Sequence, residues 1–277
     1  MINILQTELF RLKKSSLFWA LLGVCAGLPL ISLMLQLIVV IFTAMAFGGG
    51  EIGDLWALMH QTGATATMLT SLSGWSSDPA LFSVICSSIV LSKEFSGGTV
   101  RNMLLANKSR KQLFFSFALV ALIIGVSYFA IAFVAILLMQ GTMFGFGEMS
   151  ATEAVTACFS SLALGLLSIV AVQSCVCMFL FATRKTGATV ACSIVVCLFA
   201  PSIIYTLVEV AEAIRMLMDV PSMSEAALGW IPLYNMYLYD ASSVNGALVG
   251  KIVLYQAMII AFFGGMGWLG IRKRDLK

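Results

Sequence analysis

Six apolar stretches, none carrying an ionisable side chain near its middle, run through this chain at about 17–47, 78–95, 112–140, 154–183, 187–208 and 248–271. A helix needs about 20 apolar residues to cross the hydrocarbon of a bilayer, so five of the six are long enough outright. Composition leaves no other home for them: 60% of the 277 residues are hydrophobic and 10% are charged. A water-exposed surface takes roughly 25% charged residues. The expected fold is therefore an all-α integral membrane protein of six transmembrane helices, a single domain over 1–277.

The placement of charge orients it. Fourteen of the sixteen Lys and Arg fall in four groups: Arg11, Lys13, Lys14; Lys93, Arg101, Lys108, Arg110, Lys111; Arg184, Lys185; and Arg272, Lys273, Arg274, Lys277. The alternate connections carry acidic residues, with Arg215 and Lys251 as their cations. Bilayers retain Lys and Arg on the cytoplasmic side. Both termini and the loops at 93–111 and 184–187 are thus expected in the cytoplasm, in a multi-pass protein of the cell membrane. The basic runs are short and pressed against apolar spans, which argues against nucleic acid as a partner. The bilayer itself is the expected one.

Residues 1–16 read as an amphipathic helix lying in the interface, with Ile2, Leu5, Leu9 and Leu12 on one side and Asn3, Glu8, Arg11 and Lys14 on the other. The run at 17–47 is about twice the 7–15 residues of a signal-peptide apolar region, so an uncleaved span is expected. The second stretch is short. Asp78-Pro79 suits a helix start, with Asp as cap and Pro in the first turn. Either its helix continues past Lys93 or residues 60–77 dip into the membrane. Trp230 to Tyr239 suit an outer re-entrant region over about 221–239. Gly23 and Gly27, and the set Gly264, Gly265, Gly267 and Gly270, are spaced for helix packing.

Chemistry is absent in an informative way. No Gly-x-x-x-x-Gly-Lys-Ser/Thr loop is present to cradle ATP phosphates, and the single histidine, His60, has no triad or zinc-site company. The seven cysteines sit inside apolar runs as expected free thiols, and no metal site is expected. Ion-coupled carriers commonly place ionisable groups within spans. Here the mid-span polar residues are Gln36, Gln173 and scattered Ser and Thr. The two glutamines either line a substrate path or bond helix to helix. The chain is not expected to be an enzyme, and uphill transport would need a separate energy source.

The longest inside loop, 93–111, is the most informative segment. Gly97-Gly98 permits a break after the second span, Thr99 can cap a short helix over 100–106, and Ser109 can cap the third span. Such a helix is either a lever for a cytoplasmic partner or a plain interfacial connector. The loop resembles the signature of the type 2 class of ABC exporter permeases, in which Glu precedes Gly-Thr-hydrophobic-Arg-Asn-x-Leu and a later Ser-Arg opens the next span. Here those residues are Glu94, Gly98, Thr99, Val100, Arg101, Asn102, Leu104, Ser109 and Arg110. The start is similar too, with Glu8, Leu9, Leu12 and Lys13 matching that class's Glu-hydrophobic-x-x-Leu-basic element.

The resemblance implies a pair of permeases, identical or related, each touching a separate ATPase that holds ATP and Mg. Glu94, Gly98, Thr99, Arg101 and Asn102 would supply polar contacts and loop geometry, with Met103, Leu104 and Leu105 as an apolar knob. Together with an apolar path, it implies export of an amphipathic or hydrophobic cargo such as a peptide, an antibiotic or a lipid-like molecule. A passive channel, an ion-coupled carrier or a non-transporting anchor or immunity subunit stands as the alternative.

Overall fold

A computed structural model describes residues 2–46, 77–100, 103, 109–144, 151–217 and 246–273. Every element among them is helical: α1 (Ile2–Lys14), α2 (Ser16–Ala46), α3 (Asp78–Ser96), α4 (Arg110–Phe144), α5 (Ala151–Thr183), α6 (Thr186–Leu217) and α7 (Gly246–Lys273). Helices α2 to α7 are the six long and apolar enough to cross a membrane. In lipid no water satisfies the backbone, and a helix closes its own hydrogen bonds. The expected re-entrant region at 221–239 and His60 lie outside the described residues.

Of the two readings of the short second span, the helix does continue past Lys93, while a dip at 60–77 lies, but for Ser77, outside the described residues. α3 runs past Lys93 to Ser96, and its 19 residues reach about 28 Å at 1.5 Å per residue, close to the ~30 Å hydrocarbon thickness. Ser77, rather than Asp78, occupies the cap position, and Asp78 and Pro79 lie in the first turn. A proline there loses no hydrogen bond, because the first N–H groups of a helix have no partner within it.

Helices α3, α4 and α5 pack on one another in pairs and form a triangular centre. Each remaining span lies against two of the three: α2 on α3 and α4, α6 on α3 and α5, α7 on α4 and α5. The central helices are accordingly the most buried, and the outer three keep wide apolar faces turned outward, including Leu35 and Phe42 on α2 and Phe199 and Leu207 on α6. At the centre, Gly125 of α4 lets α5 approach closely. A Cβ built there would stand 2.5 Å from Ile169 Cγ2 and 3.1 Å from Gln173 Cγ.

The glycines divide by position. Gly267 and Gly270 do serve packing, since a Cβ at Gly267 would lie 3.3 Å from the Met178 backbone and one at Gly270 3.7 Å from Phe181. At Gly23, Gly27, Gly264 and Gly265 an added Cβ would meet nothing within 4 Å, so these four pack no helix of their own chain among the described residues.

Candidate functional site

The basic ends of the helices gather α1, the end of α3, the start of α4 and the end of α7. Ser15 alone separates α1 from α2; its Oγ accepts the N–H of Phe18 at 3.4 Å, and Trp19 Nε1 donates to the Lys13 carbonyl at 2.8 Å. Tyr128 of α4 then donates to the Phe18 carbonyl at 3.0 Å. This elbow is held on both sides, so α1 has a fixed direction relative to α4, against which it also packs.

The buried face of α1 differs from the expected one. Glu8, assigned to the polar side, is 1% exposed and lies on the same strip as Leu5 and Leu12. Arg11 extends from the neighbouring edge, and its Nη1 lies 2.7 Å from both carboxylate oxygens of Glu94 on α3. The same nitrogen is 3.6 Å from Glu8 Oε1, an ion pair too long to be a hydrogen bond. One guanidinium therefore serves two buried carboxylates, and Glu94 takes the short, charge-assisted contacts. Burial, then the negative charge of Glu94, push the Glu8 carboxyl up to about 7, against the opposing pull of Arg11. The hydrogen bonds with Glu94 raise the Arg11 guanidinium further above its ordinary value.

Two residues beyond Glu94 the helix stops. Gly97 N–H donates to Lys93 O at 2.8 Å and Gly98 N–H to Phe95 O at 3.3 Å. Gly98 adopts φ +70°, the left-handed conformation that glycine enters without the Cβ penalty. Helical structure resumes at Thr99, which is itself in the helix rather than capping it, and includes Val100 and Met103. Val100 is buried in the core and Met103 packs against it. Met103 is thus partly turned toward its own chain. Arg101, Asn102, Leu104 and Leu105 lie outside the described residues.

Ser109 caps α4 as expected, accepting the Gln112 N–H at 3.3 Å. Arg110 has a role that its place in a motif did not disclose. Its Nη1 donates to the carbonyls of Ile271 at 3.3 Å and Arg272 at 2.9 Å, satisfying the end of α7. Beneath the loop, Phe95, Phe117, Phe181, Phe114 and Trp268 form successive ring contacts at centroid separations of 5.3–6.1 Å. They link α3, α4, α5 and α7. Of the two glutamines, Gln36 is on α2 with its side chain outside the described residues. Gln173 is 2% exposed inside the bundle, where Nε2 donates to Ser83 Oγ at 2.9 Å.

The structure thus joins Glu94, Gly98, Thr99 and Met103 at one place and sets Gln173 apart from them. Sequence reasoning passed over Glu8 and Arg11 as partners of Glu94. The available signal was Glu8 itself, placed three residues after Leu5 and four before Leu12 on a helical face. Among the described residues no group of His, Cys, Asp or Glu could hold a metal ion. What this arrangement does is tie the end of α3 to α1 through Arg11 and to α4 and α5 through Phe95.

These features define a polytopic helical membrane protein with six helices long and apolar enough to cross a membrane. The family described as ABC-2 family transporter protein matches residues 4–203, and the chain belongs to that family of membrane transport components. No curated protein and no solved structure matches it.

Proposed function

We propose that this chain is the permease subunit of an ATP-driven exporter, with a separate ATPase docking on the loop at 93–111 from the cytoplasm. The observation that carries this reading is the rigid root of that loop. Arg11 holds Glu94, Val100 inserts into the core, and Phe95 is seated among rings of α4 and α5. A pull on the loop would move α1, α3 and α4 together rather than unwind a slack connector. ATP and Mg would be bound by the partner, since this chain has no phosphate-cradling loop.

A second permease would cover outward apolar faces such as those of α2 and α6, leaving an apolar path between the copies for an amphipathic or hydrophobic cargo. Gln173, inside one bundle, would reach such a path only if it opened through the bundle; Gln36 is the nearer candidate by its position on α2. The lack of mid-span ionisable groups weighs against ion coupling.

The test is co-expression with a candidate ABC ATPase subunit from the same genome, capture in mild detergent and assay of ATP hydrolysis. A stable complex with vanadate-sensitive turnover, lost in Leu104→Asp, is expected. In vesicles, Arg101→Ala with Leu104→Ala should insert normally yet abolish ATP-dependent efflux. Normal efflux by that double variant, or a well-folded preparation that binds no ATPase, sinks the reading.

A further inference from the structure

α7 lies on α5 through Gly267 and Gly270, but beside α4 it leaves a groove of about 510 Å³. Its floor includes Gly264 and Gly265, where an added Cβ would meet nothing within 4 Å. Its walls include Phe114, Phe115 and Trp268, and Phe114 and Trp268 brace each other edge to face at 5.8 Å. The one charged residue in the lining is Lys111, in the first turn of α4 at the basic end of the bundle.

Three properties identify the occupant. The lining on α7 runs from Ile260 to Trp268, about 12 Å at 1.5 Å per residue, close to the ~15 Å depth of one leaflet's hydrocarbon. The volume lies within the roughly 300–1,000 Å³ of ligand-sized clefts. Charge is one-sided: Lys111 is exposed, no carboxylate is in the lining, and no ion pair reaches Lys111 among the described residues. Arg110, next to it in sequence, is not in the lining and spends its guanidinium on the last carbonyls of α7.

We propose that this groove binds one acyl chain of an anionic phospholipid from the leaflet bordering the basic ends, with Lys111 on its phosphate. A second copy of this chain would be expected to meet the groove with a complementary ridge and a carboxylate, and the apolar length ending in a lone cation fits a lipid better. The site needs only that the chain sit in a bilayer, so it stands apart from the exporter reading.

The test uses the full-length chain in nanodiscs of phosphatidylcholine containing a minor fraction of brominated lipid. The Trp268 component of the fluorescence is the difference between the native chain and Trp268→Phe. Brominated phosphatidylglycerol should quench that component about fivefold more effectively than brominated phosphatidylcholine, the partition expected for one basic side chain at an anionic surface. Lys111→Gln, at an exposed position, should bring the two lipids to parity. Gly265→Leu, which fills the open floor, should reduce both to the level of bulk lipid contact. Equal quenching by the two lipids in the native chain overturns the proposal. So does an anionic preference that survives both substitutions, or a Trp268 shielded from both lipids by a second copy.

Discussion

Replacing Glu8 with Gln should stabilise the protein above neutral pH, and the size of the effect follows from the burial of Glu8 beside Glu94. The folded-state value near 7 stands above an ordinary 4.5. The folded chain therefore binds more protons than the unfolded chain between those values, and stability falls as pH rises through that window. At about 1.36 kcal/mol per unit the full span is about 3 kcal/mol, most of it lost between pH 5 and pH 8. An amide at this position carries no charge to desolvate and leaves the Arg11–Glu94 contact in place. Glu8→Gln should exceed the native chain by less than about 1 kcal/mol at pH 5 and by about 3 kcal/mol at pH 8. The assay is equilibrium unfolding in mild detergent across that range, read by tryptophan fluorescence. If Glu8 acts instead as a charged partner that Arg11 requires, Glu8→Gln will lose stability at pH 8. That loss, or a native profile that rises with pH, refutes the reasoning.

Three further substitutions probe the bundle. Gly125→Ala drives a Cβ to within 2.5 Å of Ile169 Cγ2 and should cost about 1–3 kcal/mol in the same unfolding assay; an unchanged midpoint would mean that α4 and α5 are not so closely seated. Tyr128→Phe removes the bond to the Phe18 carbonyl and should cost about 1 kcal/mol, accompanied by faster proteolysis at the α1–α2 elbow. Gln173→Met loses the bond to Ser83 but also removes Oε1, which is buried without a hydrogen-bond partner among the described residues, so stability should change by less than about 1 kcal/mol. A drop in efflux at unchanged stability would then place Gln173 on the cargo's route.

The spans were legible because apolar length in a chain this poor in charge admits one solution. Their ends were less so: α4 begins at Arg110 and ends at Phe144, beyond the apolar stretch at 112–140, since helical hydrogen bonding continues into polar residues at the interface. α3 read as short because Asp78 at one end and Lys93-Glu94 at the other bound its apolar run, and Ser83, Ser87 and Ser92 make that run less apolar. In the fold these hydroxyls turn back onto the carbonyls of Ala80, Val84 and Ile89, so the helix hides its own polarity. The glycine break at the loop root was legible, though Thr99, expected to cap the next helix, lies within it. The Arg11–Glu94 contact was not, because its partners are 83 residues apart and their meeting depends on how α1 turns at Ser15.

The position of α3 at the centre has a consequence for biogenesis. It is the least apolar of the six spans, and three of the four spans packed against it, α4, α5 and α6, are synthesised after it. As α3 leaves the ribosome it has only α2 beside it, and Ser83 must wait about ninety residues of further synthesis for Gln173. Its retention in the bilayer is thus a collective property, secured by helices that have yet to be made. Chains ending soon after Ser96 should slip out of the membrane at this span, whereas chains that reach the end of α5 should hold it.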